Sequence, residues 1–267
     1  ENREPIQDRK KISMHGQGLL NRRGVITTFH RGKCYRKYHP LLADKFKKEM
    51  ILLKLMAGHP HIQDNGEVDS SHLVMTQPRA QHGNLVRYIS NPRTPKELNL
   101  ALLHIALAVQ ALHTERVLVQ NLDVTNVLVY QSGKTVKFVL SNFMPYDKHV
   151  DLMELEGAVL SGSTVYLAPE EIRAMTEFTD TGSSVTKIGM AADIFRYGLI
   201  YYILKPAGGD EKRTQRRLDT FVAYRNDTLR PMRYFTNEVF LNYYPADRLS
   251  GHLRMDDFWD DVTLTLT

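Results

Sequence analysis

A long apolar helix near the middle of the chain limits the folds that this sequence can adopt. Residues 98–112 are apolar almost throughout and are interrupted by His104 and Gln110, so they fall short of the roughly 18 apolar residues that a membrane span needs. Just before them, Thr94-Pro95-Lys96-Glu97 has the pattern of a capping box with proline at the first helical position. A helix that is apolar on most sides has to be enclosed by other elements. The sequence therefore predicts a central, buried helix that ends near His113.

The elements on either side of this helix differ in type. Before it, β-branched and aromatic residues around a turn at His30-Arg31-Gly32 predict a hairpin, and residues 41–56 have a helical periodicity that stops at Gly58-His59-Pro60. After it, the sequence predicts three short strands and one apolar helix, at Val117–Val119, Val127–Tyr130, Val136–Leu140 and Ala192–Leu204. A β-rich part followed by a mostly helical part predicts an α+β fold.

Composition and charge narrow the class of protein. The chain has 267 residues, of which 42% are hydrophobic, enough for a buried core in one large domain or two lobes. Its single cysteine, Cys34, excludes an intrachain disulfide, and no signal peptide is visible at a start that could lie downstream of one. The net charge of +5 fits either a solvated surface or docking to an acidic protein, a phospholipid surface or nucleic acid. Nucleic acid is disfavoured because aromatic residues do not alternate with the basic clusters.

Three short motifs carry a more specific pattern: Val119-Gln120-Asn121-Leu122-Asp123-Val124-Thr125-Asn126, Asn142-Phe143-Met144 and Ala168-Pro169-Glu170. In this order they resemble the H-R-D-L-x-x-x-N, D-F-G and A-P-E motifs of protein kinases. The resemblance extends over nearly the whole chain and implies a bilobal protein-kinase-like fold with a small β-rich N-lobe and a mostly helical C-lobe. It implies an N-terminal arm at residues 1–11, an N-lobe at 12–77 and a C-lobe at 78–267.

The resemblance also implies that the acidic groups of a kinase active site are replaced here. Asn121 stands at the catalytic base and Asn142 at the main metal-binding aspartate, whereas Asn126 matches the asparagine that binds the second metal. An amide cannot take up a proton near neutral pH, and it binds Mg²⁺ weakly because it has no net charge. Asp123 stands where a lysine would contact the transferred phosphate, and it would repel that group unless it served as a displaced base.

In the N-lobe, the resemblance implies a vestigial nucleotide site. Lys37, or Arg36 one register away, matches the strand-three lysine, and Glu49 matches its acidic partner. The pair of Lys37 and Glu49 would either hold ATP phosphates, together with Asn126, or stabilise the position of the following helix. The phosphate-covering loop is degenerate, since Gly16-Gln17-Gly18 begins it but Asn21 occupies the third glycine position.

Three further residues are assigned structural roles by the resemblance. Glu170 corresponds to a glutamate that forms a salt bridge with an arginine late in the chain, for which Arg248 is suitable. Asp193 corresponds to an aspartate that accepts backbone hydrogen bonds from the catalytic loop. Breaking a buried pair of this kind on one side costs about 3–5 kcal/mol, so retention of these groups maintains the fold without requiring catalysis.

Together these residues predict a catalytically inactive pseudokinase that acts as a protein-interaction or regulatory module. It would have no catalytic residue, no metal and little or no affinity for ATP and Mg²⁺, and its partner would be a protein such as an active kinase or another acidic surface. The alternatives are an atypical active kinase that uses Asp123, and a kinase-like regulatory module of a larger enzyme. The chain also resembles the compact secreted pseudokinases of apicomplexan parasites, which would imply the secretory pathway, a parasitophorous vacuole or a cyst wall. The residues alone leave the compartment open.

Overall fold

Contacts between residues divide the chain into two units, residues 1–58 with 64–79 and residues 59–63 with 80–267. The computed structural model describes residues 19–21, 25–64, 66–119, 122–142, 167–181, 189–204, 262–264 and 266. Within this part of the chain, no helix is both long enough and apolar enough to cross a membrane.

The first unit contains a five-stranded antiparallel sheet in the order β1-β2-β3-β5-β4. Its strands are β1 (Leu19–Asn21), β2 (Val25–His30), β3 (Lys33–Tyr38), β4 (Glu67–Asp69) and β5 (Val74–Pro78). The hairpin predicted around His30-Arg31-Gly32 is confirmed, with His30 paired to Lys33. Its two turn residues, Arg31 and Gly32, have φ values of 45° and 73°, the left-handed conformation that a tight two-residue hairpin turn requires.

A long helix follows the first three strands of the first unit. A 3₁₀ turn at Pro40–Leu42 leads into helix α1 (Ala43–Leu55), which confirms the predicted helix within a few residues. The buried side of α1 carries Phe46, Met50, Leu52, Leu53 and the charged Glu49. The ring of Phe46 meets that of Tyr38 on β3 edge to face, with centroids 5.1 Å apart, so the helix is fixed against this strand by an aromatic contact.

The second unit is mostly helical. Its helices are α2 (Leu85–Ile89), α3 (Pro95–Thr114), α4 (Pro169–Thr181) and α5 (Met190–Leu204). The capping box predicted at the start of α3 is confirmed, because the Thr94 side chain accepts a hydrogen bond from the Glu97 N–H at 3.2 Å, and Glu97 accepts one from the Thr94 N–H at 2.9 Å. The central helix α3 is buried along its length, with Ala101, Leu102 and Val109 among its fully enclosed residues.

A small hairpin, β6 (Val127–Ser132) and β7 (Thr135–Leu140), packs against α3. The segment 59–63 belongs to this unit, because Ile62 forms a parallel bridge with Leu140 at the end of β7. The strand predicted at Val117–Val119 is wrong. The Val117 N–H donates to the Leu112 carbonyl at the end of α3, and the Val119 N–H donates to the Asp193 carboxylate, so neither amide is used by a neighbouring strand.

Candidate functional site

The residue that follows β7 is hydrogen-bonded to the loop at residues 122–126 through the backbone of Asn126. Its carbonyl accepts two hydrogen bonds from Ser141, one from the N–H and one from the hydroxyl group, both at 2.8 Å. The N–H of Asn126 in turn donates to the Asp123 carbonyl at 2.9 Å. These contacts bring together the residues that the sequence analysis assigned to the degenerate metal site.

The side chains of Asn126 and Asn142 form a direct amide–amide contact. Asn142 Nδ2 donates to Asn126 Oδ1 at 3.2 Å, and the Asn142 backbone has a φ of 57°, in the left-handed region that asparagine tolerates better than most residues. The oxygen of Asn126 that a cation would use therefore already accepts a hydrogen. The contact contains two neutral groups and adds no negative charge to the site.

Asp123 is a buried part of the loop. The residue is 5% exposed, and its Oδ1 accepts a hydrogen bond from the Thr125 N–H at 2.6 Å, which closes a tight turn of the kind that aspartate favours. Gln120, Asn121, Phe143 and Met144 lie outside the described residues, so the assignment of Asn121 to the base position stays a prediction.

Asp193 on α5 anchors the chain just before this loop. Its Oδ2 accepts a hydrogen bond from the Val119 N–H at 2.7 Å and a second one from His113 Nε2 on α3 at 3.1 Å. Asp193 and His113 are both buried, so these bonds form away from water, where an unpaired carboxylate would be costly. This is the type of contact that the kinase resemblance implies for Asp193.

A buried ion pair that sequence reasoning missed links α4 to α5. Arg196 Nη2 lies 2.8 Å from Glu171 Oε1, and Arg196 Nε lies 3.1 Å from Oε2, so the guanidinium group binds the carboxylate with two parallel hydrogen bonds. Glu171 Oε2 also accepts the Ala168 N–H at 2.8 Å. Burial opposes the charge of Arg196, but the Glu171 carboxylate outweighs it, with help from Asp193 and Asp123, and raises the guanidinium pKa.

The sequence contained one sign of this pair. Arg196 is a cation in a mostly apolar helix that also carries Asp193, and a buried arginine needs an acidic partner. The kinase resemblance implied the pair of Glu170 and Arg248 instead. Glu170 is buried at 6% exposure, but Arg248 lies outside the described residues, so their pairing stays a prediction.

The first unit contains a second buried ion pair, and it corrects one assignment. Glu49 Oε1 lies 2.7 Å from Arg36 Nη1, and Glu49 Oε2 accepts a hydrogen bond from the Tyr38 hydroxyl group at 2.5 Å. The predicted pairing of Glu49 with Lys37 is therefore wrong, and the alternative register with Arg36 is the one found. Alternate residues of a strand share a face, so Arg36 and Tyr38 both reach Glu49 while the intervening Lys37 is exposed.

The environment of Glu49 keeps both partners in their ordinary protonation states. Burial opposes the charge of Arg36, but the Glu49 carboxylate outweighs it and raises the guanidinium pKa. Burial also raises the pKa of Tyr38, against the field of Arg36 and together with that of Glu49. A charged arginine and a neutral tyrosine thus hold one carboxylate between them. A role for Lys37 in nucleotide binding stays a prediction, and Gly16-Gln17-Gly18 lies outside the described residues.

The known proteins that are similar to this chain are kinases, and they match different shares of its length. No family model matches the chain. It is 23% identical to the serine/threonine-protein kinase mph1 of Schizosaccharomyces pombe over 167 residues, which are 59% of this chain and 24% of that protein. It is 27% identical to the liver/testis isoform of the phosphorylase b kinase gamma catalytic chain of Mus musculus over 166 residues, 60% of this chain and 38% of that protein. The chain therefore spans well under half the length of these relatives.

A solved structure extends the likeness over most of the chain. The crystal structure of the PknI kinase domain of Mycobacterium tuberculosis superimposes with a TM-score of 0.50 at 16% identity, covering 91% of this chain and 90% of that domain. At this level of identity the match concerns the fold alone. The chain thus has the α+β, bilobal, protein-kinase-like fold that its three motifs predicted, with a β-rich first unit and a mostly helical second one.

Proposed function

We propose that this chain is a pseudokinase, a kinase-like module that binds other proteins and does not transfer phosphate. The observation that carries the proposal is the contact between Asn142 and Asn126 at 3.2 Å. Both residues match metal-binding positions of the kinase motifs, yet the aspartate expected at position 142 is replaced by a neutral amide that donates a hydrogen bond to Asn126. The apicomplexan likeness, a secreted location and an acidic protein partner remain parts of this proposal.

The donor set suits a divalent cation poorly. Mg²⁺ prefers hard oxygen ligands that include carboxylates, and in kinases the metal ions neutralise the charge on the β- and γ-phosphates. Asn142 supplies no such charge, since an amide is neutral. Loss of the general base at Asn121 would remove a further factor of about 10²–10⁴ in rate.

The buried polar contacts around the loop maintain the fold without supplying a catalytic group. The Asp193–Val119 hydrogen bond and the Glu171–Arg196 pair hold the loop and two helices in a fixed arrangement. Asp123, the candidate for a displaced base, is used within its own turn and is buried. These residues maintain the scaffold while supplying no exposed carboxylate for proton transfer, which fits a function exerted through the protein surface.

The first prediction concerns nucleotide binding. We expect 1 mM ATP with 5 mM Mg²⁺ or Mn²⁺ to raise the melting temperature by less than about 2 °C, because a dissociation constant above about 1 mM adds less than about 0.4 kcal/mol of stability. Differential scanning fluorimetry with and without the metal measures this shift. Asn142→Asp is the matched variant, since it restores one carboxylate and should increase the metal-dependent part of the shift. A metal-dependent rise of more than about 5 °C in the unmodified protein would contradict weak binding.

The second prediction concerns rescue. We expect the double substitution Asn121→Asp with Asn142→Asp to leave phosphate transfer undetectable, because Asp123 still stands where a lysine would contact the phosphate. Transfer of labelled phosphate from ATP to the chain itself and to a basic protein substrate is the measurement. The unmodified chain and Asp123→Asn serve as controls. Transfer by the unmodified chain that disappears in Asp123→Asn would instead establish the atypical kinase.

A further inference from the structure

Three histidines gather beside β7 in the second unit, and the proposed function uses none of them. The rings of His61 and His104 are stacked, with centroids 3.8 Å apart and planes 22° from parallel. His59 lies edge-on to His61, with centroids 6.0 Å apart. His59 and His61 belong to the segment 59–63, whereas His104 projects from the central helix α3.

Two of these rings accept hydrogen bonds from the backbone. The Phe138 N–H donates to His104 Nδ1, and the His61 N–H donates to His59 Nδ1, each at 3.3 Å. A ring nitrogen can accept a hydrogen bond only while it carries no proton. His61 Nδ1 instead donates to the Phe138 carbonyl at 3.3 Å, and this bond survives protonation of the ring. Uptake of protons by His59 and His104 would therefore break two backbone contacts.

The electrostatic surroundings disfavour protonation of all three rings. Burial, then the neighbouring His61, then Lys137 on β7 lower the pKa of His104 to about 3. Burial and Lys137 likewise lower the pKa of His59, and burial, His59 and Lys137 lower the pKa of His61 against the pull of the Phe138 carbonyl. Within the described residues, the titratable groups that act on these three rings are the rings themselves and Lys137. All of them are cations when charged, so none offsets the positive charge that a protonated ring would add.

The cluster holds a segment that leads directly to the candidate site. The Leu140 N–H donates to the His61 carbonyl at 2.8 Å, and the Gln63 N–H donates to the Leu140 carbonyl at 2.9 Å. Immediately after Leu140 come Ser141 and Asn142, which contact Asn126. The backbone that presents Asn142 is therefore paired with the same five-residue segment that carries two of the histidines.

We propose that the stacked His61 and His104 rings, together with His59, form an acid-sensitive clasp that holds segment 59–63 on β7 while they are neutral and releases it when they become protonated. The released state would free the Leu140 amide and loosen the residues that precede Asn142. This inference does not depend on whether the chain transfers phosphate.

The direction of the pH dependence follows from the lowered pKa values. The stability contributed by the neutral rings is complete above the ordinary histidine pKa of about 6.5 and is lost as the pH falls from there toward the lower pKa of the folded state. Between pH 7.5 and 5.5, His104 alone should raise the equilibrium constant for opening about tenfold, since its open form titrates near 6.5. Protonation of His59 and His61 in the open form would add to this factor.

Hydrogen exchange measured by NMR tests the clasp in the unmodified chain. We expect the protection factor of the Leu140 amide, corrected for intrinsic exchange, to fall at least about tenfold from pH 7.5 to pH 5.5. The Ile172 amide in α4, which donates to the Ala168 carbonyl at 3.1 Å, should keep its protection. Unchanged protection of Leu140, or an equal loss at Ile172, would overturn the proposal.

Substitutions make the test specific. The double variant His61→Phe with His104→Asn keeps a flat ring and a hydrogen-bond acceptor but removes two of the three titrating rings. Its Leu140 protection should therefore lose the roughly tenfold response assigned to His104, and only the contribution of His59 should remain. His82→Asn is the matched control, because His82 bonds to the exposed Gln131 side chain elsewhere, and it should respond as the unmodified protein does. Retention of the full response in the double variant would overturn the clasp.

A direct titration covers the case in which the double variant does not fold. The imidazole resonances of His104 in the unmodified chain should titrate at least two pH units below the ordinary histidine pKa of about 6.5. A His104 ring that titrates near 6.5 while Leu140 stays protected would overturn the proposal.

Discussion

Replacing Arg196 with methionine is expected to lower the free energy of unfolding by about 3–5 kcal/mol, because it leaves the Glu171 carboxylate buried without its partner. Both side chains are nearly inaccessible, with exposures of 4% for Arg196 and 2% for Glu171. The same substitution removes the cation that faces Asp193 and Asp123, so the repulsion among these carboxylates would no longer be offset. Urea unfolding followed by circular dichroism measures the loss.

Two comparisons distinguish the ion pair from a general packing defect. In the double variant Glu171→Met with Arg196→Met, no charge of the pair is left alone, and the remaining cost of about 1–2 kcal/mol comes from the Ala168 N–H that loses its acceptor. Lys47→Met removes one member of an exposed pair, Lys47 with Asp44, and should change stability by less than about 0.5 kcal/mol. Single and double variants that are equally destabilised would show that volume, not charge, dominates at this position.

Several elements of the fold could be predicted from patterns among residues that are close in sequence. The capping box at Thr94 and Glu97 and the turn at Arg31-Gly32 involve residues close in sequence, and the structure contains both as predicted. The helix at Met190–Leu204 was likewise readable from a continuous apolar run. In each case the physical cause lies within one element, so a single sequence can reveal it.

Tertiary partners were harder to predict. Val117–Val119 has strand-like residues, but its amides bond to the end of α3 and to Asp193, which lies 74 residues beyond Val119. Arg36 and Lys37 are adjacent cations, and only the face that β3 turns toward α1 decides which one meets Glu49. A shift of one residue in the pairing of a strand turns every side chain to the opposite face of the sheet. Nothing in the local sequence of β3 determines which of the two faces packs against α1.

The residues of the candidate site could be predicted from the sequence, but the contact between them could not. The likeness of two motifs placed Asn126 and Asn142 at one site, and the structure brings their side chains into contact. The motifs could not show that the two amides bond to each other, because that depends on the backbone conformation of Asn142. They also could not indicate Glu171–Arg196, since that pair lies outside the motif positions and joins residues 25 apart.

Replacing Arg36 with methionine is the second substitution for which we expect a large effect, a loss of about 3–5 kcal/mol in the free energy of unfolding. Glu49 is 4% exposed, so without Arg36 its charge would be buried with the Tyr38 hydroxyl group as its remaining partner among the described residues. Urea unfolding at neutral pH, followed by circular dichroism, measures the loss.

Lys37→Met is the matched control, since it removes the neighbouring cation from the exposed face of the same strand and should change stability by less than about 0.5 kcal/mol. Glu49→Gln tests the pair from the other side, because it leaves Arg36 buried without a counter-charge while preserving the side-chain volume. A large loss in Lys37→Met with little change in Arg36→Met would mean that β3 presents the opposite face to α1. It would restore the lysine register that the kinase resemblance first suggested, and with it a cation available to a nucleotide.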